Sequence, residues 1–101
     1  MVNERVIQTS MAQCVVLTNR ETVIYLDIGD EKYWLEPCVI EISSEAGGIK
    51  FTPLQIFGAS PWAEKLKDEH ILCNYVPEEE IEKTYKSFIS EYLDDLKEVS
   101  N

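Results

Sequence analysis

The sequence predicts an α+β fold: an antiparallel meander of five or six strands, followed by two C-terminal helices packed on the sheet. Three observations predict it. Apolar residues alternate with period two over much of residues 1–57, turn residues separate these runs at short intervals, and helical spacing replaces the alternation over residues 58–101. The connections are too short for parallel crossovers, so neighbouring strands should pair antiparallel. Both a curved open sheet and a small barrel plugged by a C-terminal helix fit this order.

Chain length and composition predict one domain, residues 1–101, with a single core. The 101 residues are 45% hydrophobic and 28% charged. This composition supplies enough apolar surface for a packed core and gives no sign of extended disorder. Residues 1–57 should form mainly strands, and residues 58–101 mainly helices.

The N-terminal part predicts two strands, a weaker one over Glu4–Thr9 and a clearer one over Gln13–Thr18. A tight turn at residues 19–20 would bring Val15 opposite Ile24 on the buried face. Further along the chain, residues 38–43 alternate in polarity, and a turn at residues 45–48 would return the chain into a strand over residues 49–52.

The central hairpin is predicted from Gly29-Asp30, a pair suited to a two-residue turn. This turn would place Tyr25 opposite Trp34 on the outward face of the sheet. The other face would then be the buried one, because it collects five large apolar side chains: Ile24, Leu26, Ile28, Tyr33 and Leu35.

Two helices and a short strand are predicted after residue 57. Ser60 and Pro61 suit the start of a helix over Pro61–Glu69, and residues 71–76 suit a last edge strand. Pro77 and the acids at 78–80 suit the first turn of a second helix. Its apolar stripe should pack on the sheet and consists of Ile81, Tyr85, Phe88, Ile89, Tyr92, Leu93 and Leu96. The opposite, exposed face should hold Glu82, Lys83, Lys86, Glu91 and Asp94.

The charge balance limits the partners that this chain can bind. Nineteen acidic residues against nine basic ones give a formal net charge of −10. Nucleic-acid phosphates and anionic membranes carry the same sign, so we expect neither direct phosphate binding nor membrane binding. A charged partner should be a basic protein.

Cysteine usage and the N-terminal residues predict a cytoplasmic protein. The three cysteines, Cys14, Cys38 and Cys73, are far apart and odd in number, which argues against a disulfide framework and a zinc site. We expect buried, reduced thiols. The N-terminal residues lack the apolar stretch of a signal peptide, and no apolar run is long enough to span a membrane.

No residue pattern predicts catalysis, a cofactor or a metal ion, so the sequence favours a non-enzymatic role. His70 is the single histidine and lies at the end of a predicted helix. Cys73 lies nearby in an apolar stretch that should raise the pKa of its thiol. The paired glycines at 47–48 lack a phosphate-loop pattern, and the carboxylates match no calcium loop.

The remaining candidates for a functional site are aromatic side chains. Tyr25 and Trp34 fall on the outward face of the hairpin, and Phe57 and Trp62 lie in a segment rich in apolar residues and proline. Interfaces favour such side chains, although the same segment could also cover one end of the sheet. We therefore predict an interface at Tyr25, Trp34, Phe57 and Trp62.

Three functions remain open at this point. The leading hypothesis is a non-enzymatic, self-associating interaction module that uses an apolar patch with an acidic rim to bind itself and a basic protein. The second is an inhibitor or immunity-type protein whose acids mimic nucleic-acid charge. The third is a small enzyme or ligand carrier with a pocket between sheet and helix.

Overall fold

The computed structural model describes residues 4–29, 31–43, 48–54 and 62–100. These residues form an α+β arrangement of six strands, two α-helices and one 3-10 turn. In chain order the elements are α1 (Glu4–Thr9), β1 (Met11–Leu17), β2 (Thr22–Asp27), β3 (Tyr33–Ser43), β4 (Gly48–Pro53), β5 (Trp62–Glu64), the 3-10 turn (Asp68–His70), β6 (Ile71–Tyr75) and α2 (Glu79–Ser100).

The strands form one open antiparallel sheet in the order β4-β3-β2-β1-β6. Strand β3 is long, so it pairs with β4 through residues 38–43 and with β5 through Tyr33, Trp34 and Leu35. The predicted antiparallel meander and the edge strand near residues 71–76 are confirmed. The sheet is open, so the small-barrel alternative is wrong.

The predicted register between β1 and β2 is wrong by one residue. Cys14 pairs with Ile24 and Val15 with Val23. The connection is a three-residue loop rather than a two-residue turn, since Leu17 N–H donates to the carbonyl of Glu21. Arg20 in this loop has a positive φ of 71°. A one-residue slip exchanges the two faces of a strand, so Val15 lies on the face opposite Ile24.

The predicted register between β2 and β3 is also wrong, and the predicted buried face is confirmed only in part, because Ile24, Leu26 and Leu35 are buried while Ile28 and Tyr33 are exposed. Leu26 pairs with Leu35 instead of Tyr33. At Leu26 this slip of two residues leaves each side chain on its own face, whereas Ile24 pairs with Cys38, a slip of three residues. The turn is longer than predicted because residues 28–32 lie outside the strands, where Gly29 has a positive φ of 86° and its N–H donates to Oδ1 of Asp27.

A β-bulge interrupts β3 at Glu36 and Pro37. Ile24 pairs with Cys38 while Leu26 pairs with Leu35, so two residues of β3 lie opposite Tyr25. Glu36 has a positive φ of 49°, a conformation that non-glycine residues rarely adopt. Proline has no N–H to donate to a strand ladder, and a bulge tolerates it for this reason.

Two predicted elements differ from the structure. Glu4–Thr9 is helix α1 rather than a strand, and both sides of β1 are already occupied by β2 and β6. The helix predicted over Pro61–Glu69 is replaced by β5 and a 3-10 turn. Pairing of residues 62–64 with residues 33–35 of β3 outweighs the helix-start pattern at Ser60 and Pro61. The structure therefore has one long C-terminal helix instead of two.

Helix α2 packs on one face of the sheet, as its apolar stripe predicts. Tyr85 and Ile89 are fully buried, and Ile81 and Phe88 are partly buried at the same core. The remainder of this core comes from α1 and the sheet, namely Ile7, Ala12, Cys14, Ile24, Leu26, Leu35, Cys38 and Phe51. The side chains of residues 92–100, which include Tyr92, Leu93 and Leu96, lie outside the described part.

A polar network joins α1, β1 and α2, and it corrects the prediction that Lys86 is exposed. Lys86 is buried, its Nζ donates to the carbonyl of Gln8 at 3.2 Å, and it lies 3.6 Å from Oε1 of Glu82. Oε2 of Glu82 accepts the N–H of Ala12 at 3.0 Å. Burial of the lysine is possible because a carbonyl and a carboxylate replace water around its charge.

A second, smaller cluster lies on the opposite face of the sheet. Val15, Leu17, Val23 and Trp34 are buried there, with Tyr25, Val39 and Ile71 packed at its margin. The sheet therefore separates two apolar clusters where the sequence predicted a single core. The predicted division into strands before residue 57 and helices after it is not strict, because helix α1 precedes residue 57 and strands β5 and β6 follow it.

Truncation of the docked face of α2 should destabilise the protein strongly. Ile89→Ala removes a fully buried side chain, and we expect the free energy of unfolding to fall by about 2–5 kcal/mol. Lys83→Ala, at an exposed position of the same helix, should change it by about 0.5 kcal/mol or less. Urea denaturation of both variants measures the difference. Equal effects would show that α2 is not docked through this stripe.

Candidate functional site

The four residues predicted as an interface do not form one site among the described residues. Tyr25 and Trp34 are brought together, with their rings stacked at a centroid distance of 5.4 Å. The backbone of Trp62 pairs with Leu35 in the sheet, while its side chain lies outside the described part. Phe57 lies outside the described residues altogether.

Trp34 is not exposed, contrary to the sequence-based expectation. Its side chain is only 2% exposed, and it belongs to the second cluster. Tyr25 is half-buried at the margin of that cluster, and burial together with the nearby carboxylate of Asp27 raises the pKa of its phenol. Trp34 therefore packs within its own chain, where it cannot serve as an accessible anchor for a partner.

His70 and Cys73 do not form a reactive pair in the structure. His70 ends the 3-10 turn, where its Nε2 lies 3.6 Å from Oε1 of Glu69 at the surface. Cys73 is exposed on β6 rather than buried, while Cys14 and Cys38 are buried as predicted, and all three thiols are free. Across the described residues, no three histidine, cysteine or acidic side chains gather in a way that could hold a metal ion.

A buried group of titratable side chains lies at the β3 bulge, and the sequence-based prediction missed it. The hydroxyl of Tyr85 donates to the carbonyl of Glu36 at 2.5 Å, and the thiol of Cys38 lies 3.7 Å from the same oxygen. Glu36 itself is 8% exposed. The signal was present as Glu36 and Pro37 between apolar residues of the strand, since proline within a strand is typical of a bulge.

Burial governs the titration of this group. It raises the pKa of the Glu36 carboxyl to about 7, and together with the neighbouring carboxylate it raises the pKa of the Cys38 thiol to about 12. The pKa of the Tyr85 phenol is raised well above its usual value, mainly by burial. Burial thus shifts the pKa of each of the three groups in the direction that favours its neutral form.

A shallow groove lies between α1 and α2, with a volume of about 390 Å³. Its lining is polar and mixed in charge, and consists of Gln8, Glu79, Glu82, Lys83, Lys86 and Ser87. Two of these charges, Glu82 and Lys86, already pair with each other. The groove differs from the predicted pocket, which would lie between sheet and helix and have an apolar lining.

A group of exposed apolar side chains lies along β6 and just after it. Leu72 is 62% exposed and Val76 is 60% exposed, and Tyr75 is also exposed. Strand β6 pairs with β1 on one side, and no described strand pairs with its other side. Residues 71–76 carry no charged side chain, whereas Asp68, Glu69 and the acids at 78–80 flank them in the sequence. We call residues 71–76 the β6 edge.

A second exposed apolar pair lies at the other end of the sheet. Ile42 of β3 is 81% exposed and pairs directly with Ile49 of β4, which is also exposed. Directly paired residues lie on the same face, so the two side chains form a small patch. We call this pair the β3–β4 patch.

Substitution of Trp34 should reveal its structural role. Trp34→Ala empties a buried site in the second cluster, and we expect a loss of about 3–5 kcal/mol in the free energy of unfolding. The adjacent Tyr33 is 43% exposed, so Tyr33→Ala should cost clearly less. Thermal or urea denaturation measures both. A loss below about 1 kcal/mol for Trp34→Ala would show that Trp34 is a solvated cross-strand residue.

Glu36 should make stability depend on pH. Its folded-state pKa is raised from 4.5 to about 7. The stability contributed by the neutral carboxyl is therefore complete below pH 4.5 and is lost as the pH rises through 7. Glu36→Gln keeps the shape without the ionisation, so it should match the wild type near pH 4 and exceed it at pH 8 by on the order of 1–3 kcal/mol.

The matched control for this pH effect is Glu41→Gln, which removes the same charge from an exposed position of the same strand. Denaturation midpoints measured from pH 4 to pH 8 should show a widening difference for Glu36→Gln alone. Parallel curves for the two variants would show that net charge, rather than the buried carboxyl, sets the pH dependence.

No helix in the described part of the chain combines the length and apolar content that a membrane span needs. No family model, curated protein or solved structure matches this chain. What the chain does must therefore be inferred from its own residues.

Proposed function

We propose that this chain is a non-enzymatic, acidic interaction module that binds a protein partner through the β6 edge. The observation that carries the proposal is the exposure of Leu72, Tyr75 and Val76 along an uncharged strand edge of a chain with a net charge of −10. Exposed apolar groups surrounded by charge are typical of protein-binding surfaces.

The placement of the buried titratable groups supports a non-enzymatic role. Glu36, Cys38 and Tyr85 have strongly shifted pKa values, a property that can mark active sites. Here they lie between α2 and the sheet, and the Tyr85 hydroxyl and the Cys38 thiol approach the carbonyl of Glu36. Their role in this proposal is to fix the helix on the sheet.

The charge defines the chemistry of the partner. At −10 the module attracts a basic protein and repels nucleic-acid phosphates. Long-range attraction would speed association and weaken with added salt, while the apolar contact at the β6 edge would keep part of the affinity at high salt. An inhibitor that mimics nucleic-acid charge would instead lose nearly all its affinity as salt is added.

Self-association through the β3–β4 patch is the second candidate. The observation that favours it is the 81% exposure of Ile42 beside its exposed partner Ile49. These two side chains lie near the far edge of the sheet from β6, so self-association there would leave the β6 edge free. The three free thiols fit a reducing compartment, and a cytoplasmic location is part of the proposal.

The proposed function predicts that two surface variants act differently. Leu72→Lys places a charge on the β6 edge, and Ile42→Lys places the same charge on the β3–β4 patch. Each protein is immobilised and used to capture partners. The affinity for a captured partner should be about tenfold lower for Leu72→Lys than for the wild type, equivalent to about 1.4 kcal/mol. Ile42→Lys should retain the captured partners and should reduce any self-association seen by sedimentation velocity.

The controls for this experiment are the folded state and the salt dependence of each variant. Both variants alter exposed positions, so circular dichroism should match the wild type. Equal retention by the wild type and Leu72→Lys would contradict binding at the β6 edge. Complete release of every captured protein by moderate salt would favour the charge-mimicking inhibitor, and a strict monomer would remove the second candidate.

A further inference from the structure

We propose that the β6 edge binds an extended segment of a basic protein as an added antiparallel strand, and that the basic residues of this segment precede its pairing residues. This inference rests on the proposed function and deepens it, since it specifies the backbone mode of binding and the chemistry and direction of the bound segment.

The open side of β6 is the first support. In the sheet order β6 is the terminal strand, and within the described ranges no strand lies beyond it. A terminal strand presents N–H and C=O groups along its free side, which an incoming strand can pair. Cys73, Asn74 and Tyr75 pair in regular register with β1, while a bulge is confined to the other end of β6. The regular half therefore offers a straight template.

The two edges of the sheet differ in their protection against pairing. The opposite edge strand, β4, carries an exposed lysine at position 50 and a proline at position 53. Lysine and proline are the residues that natural edge strands use to prevent pairing with other chains. Strand β6 contains neither lysine nor proline over Ile71–Tyr75, and its bulge, which is another protective feature, is limited to the Ile71 end. The contrast within one sheet identifies β6 as the edge suited to accept a strand.

The charges next to β6 set the direction and composition of the bound strand. Glu78, Glu79 and Glu80 follow the β6 edge after Pro77, and Lys83 pairs with Glu79 at 3.2 Å. In an antiparallel pair, the N-terminal end of the added strand lies beside the C-terminal end of β6. Basic residues before the pairing stretch would therefore lie at the end of β6 that these three glutamates follow, whereas Lys67 partly offsets the charge of Asp68 and Glu69 at the other end. Apolar side chains within the stretch would contact Leu72 or Tyr75.

A second copy of this chain is a poor occupant of the same edge. In an antiparallel pair of two β6 strands, Asp68 and Glu69 of each copy would lie at the same end of the pair as Glu78 and Glu79 of the other. This arrangement brings like charges together at both ends. Each copy also carries a net charge of −10. The charges favour a different, basic protein.

The test uses the full chain and three synthetic peptides in fluorescence anisotropy titrations. The forward peptide has three basic residues followed by five alternating valines and threonines. The reversed peptide has the same residues with the basic group last, and the third peptide replaces the basic residues by glutamates. We expect the forward peptide to bind about fivefold or more tightly than the reversed one, and the acidic peptide to bind weakest.

Two variants and one further measurement separate strand addition from general attraction. Leu72→Lys should weaken binding of the forward peptide about tenfold, whereas Ile42→Lys, with the same change in net charge at the far edge, should change it less than about twofold. Glu78→Gln combined with Glu80→Gln should remove most of the preference for the forward peptide. The forward peptide should also slow amide hydrogen exchange within residues 71–75.

Each contrary result overturns the inference. Equal binding of the forward and reversed peptides, equal effects of Leu72→Lys and Ile42→Lys, or unchanged exchange within residues 71–75 would exclude directed strand addition at β6. Failure of all peptides to bind would exclude it as well. If the capture experiment still shows loss of a partner with Leu72→Lys, the interaction function stands with another mode of binding. If it shows no such loss, both proposals fall.

Discussion

The β-bulge at Glu36 and Pro37 is the constraint on which the packing of the fold depends. It puts two residues of β3 opposite Tyr25 and directs the carbonyl of Glu36 to the hydroxyl of Tyr85. Tyr85 is fully buried at the centre of the helix–sheet core. A buried carbonyl needs a hydrogen-bond partner, and a buried tyrosine hydroxyl needs one too. One contact therefore satisfies both groups and fixes α2 on the sheet.

This constraint also decides how the two faces of the sheet are used. With α2 and α1 on one face, Ile24, Leu26 and Cys38 pack beneath the helices. Trp34 and Val23 pack on the other face in their own cluster. The aromatic pair of Tyr25 and Trp34 consequently stabilises the fold, and Trp34 is not accessible at the surface.

The two edge strands of the sheet, β4 and β6, differ in charge and in the features that prevent pairing with another chain. One edge strand carries Lys50 and Pro53, while the other has an uncharged stretch with Leu72 exposed and glutamates directly after it. The exposed apolar groups and unpaired backbone of β6 would be a liability for a free protein. Our proposal gives this edge a function, because a basic extended segment would pair its backbone and approach the neighbouring carboxylates at the same time.

The sequence by itself determined the class of the fold, the antiparallel hairpins, the edge strand near residues 71–76 and the docked face of α2, because each depends on local periodicity. Tertiary structure alone decided the registers, since a three-residue loop and the bulge at Glu36 each shift the pairing by whole residues. It also decided that residues 62–64 pair with β3 instead of forming a helix. Burial of Trp34 and exposure of Cys73 follow from which strands become neighbours, and local pattern does not contain that information.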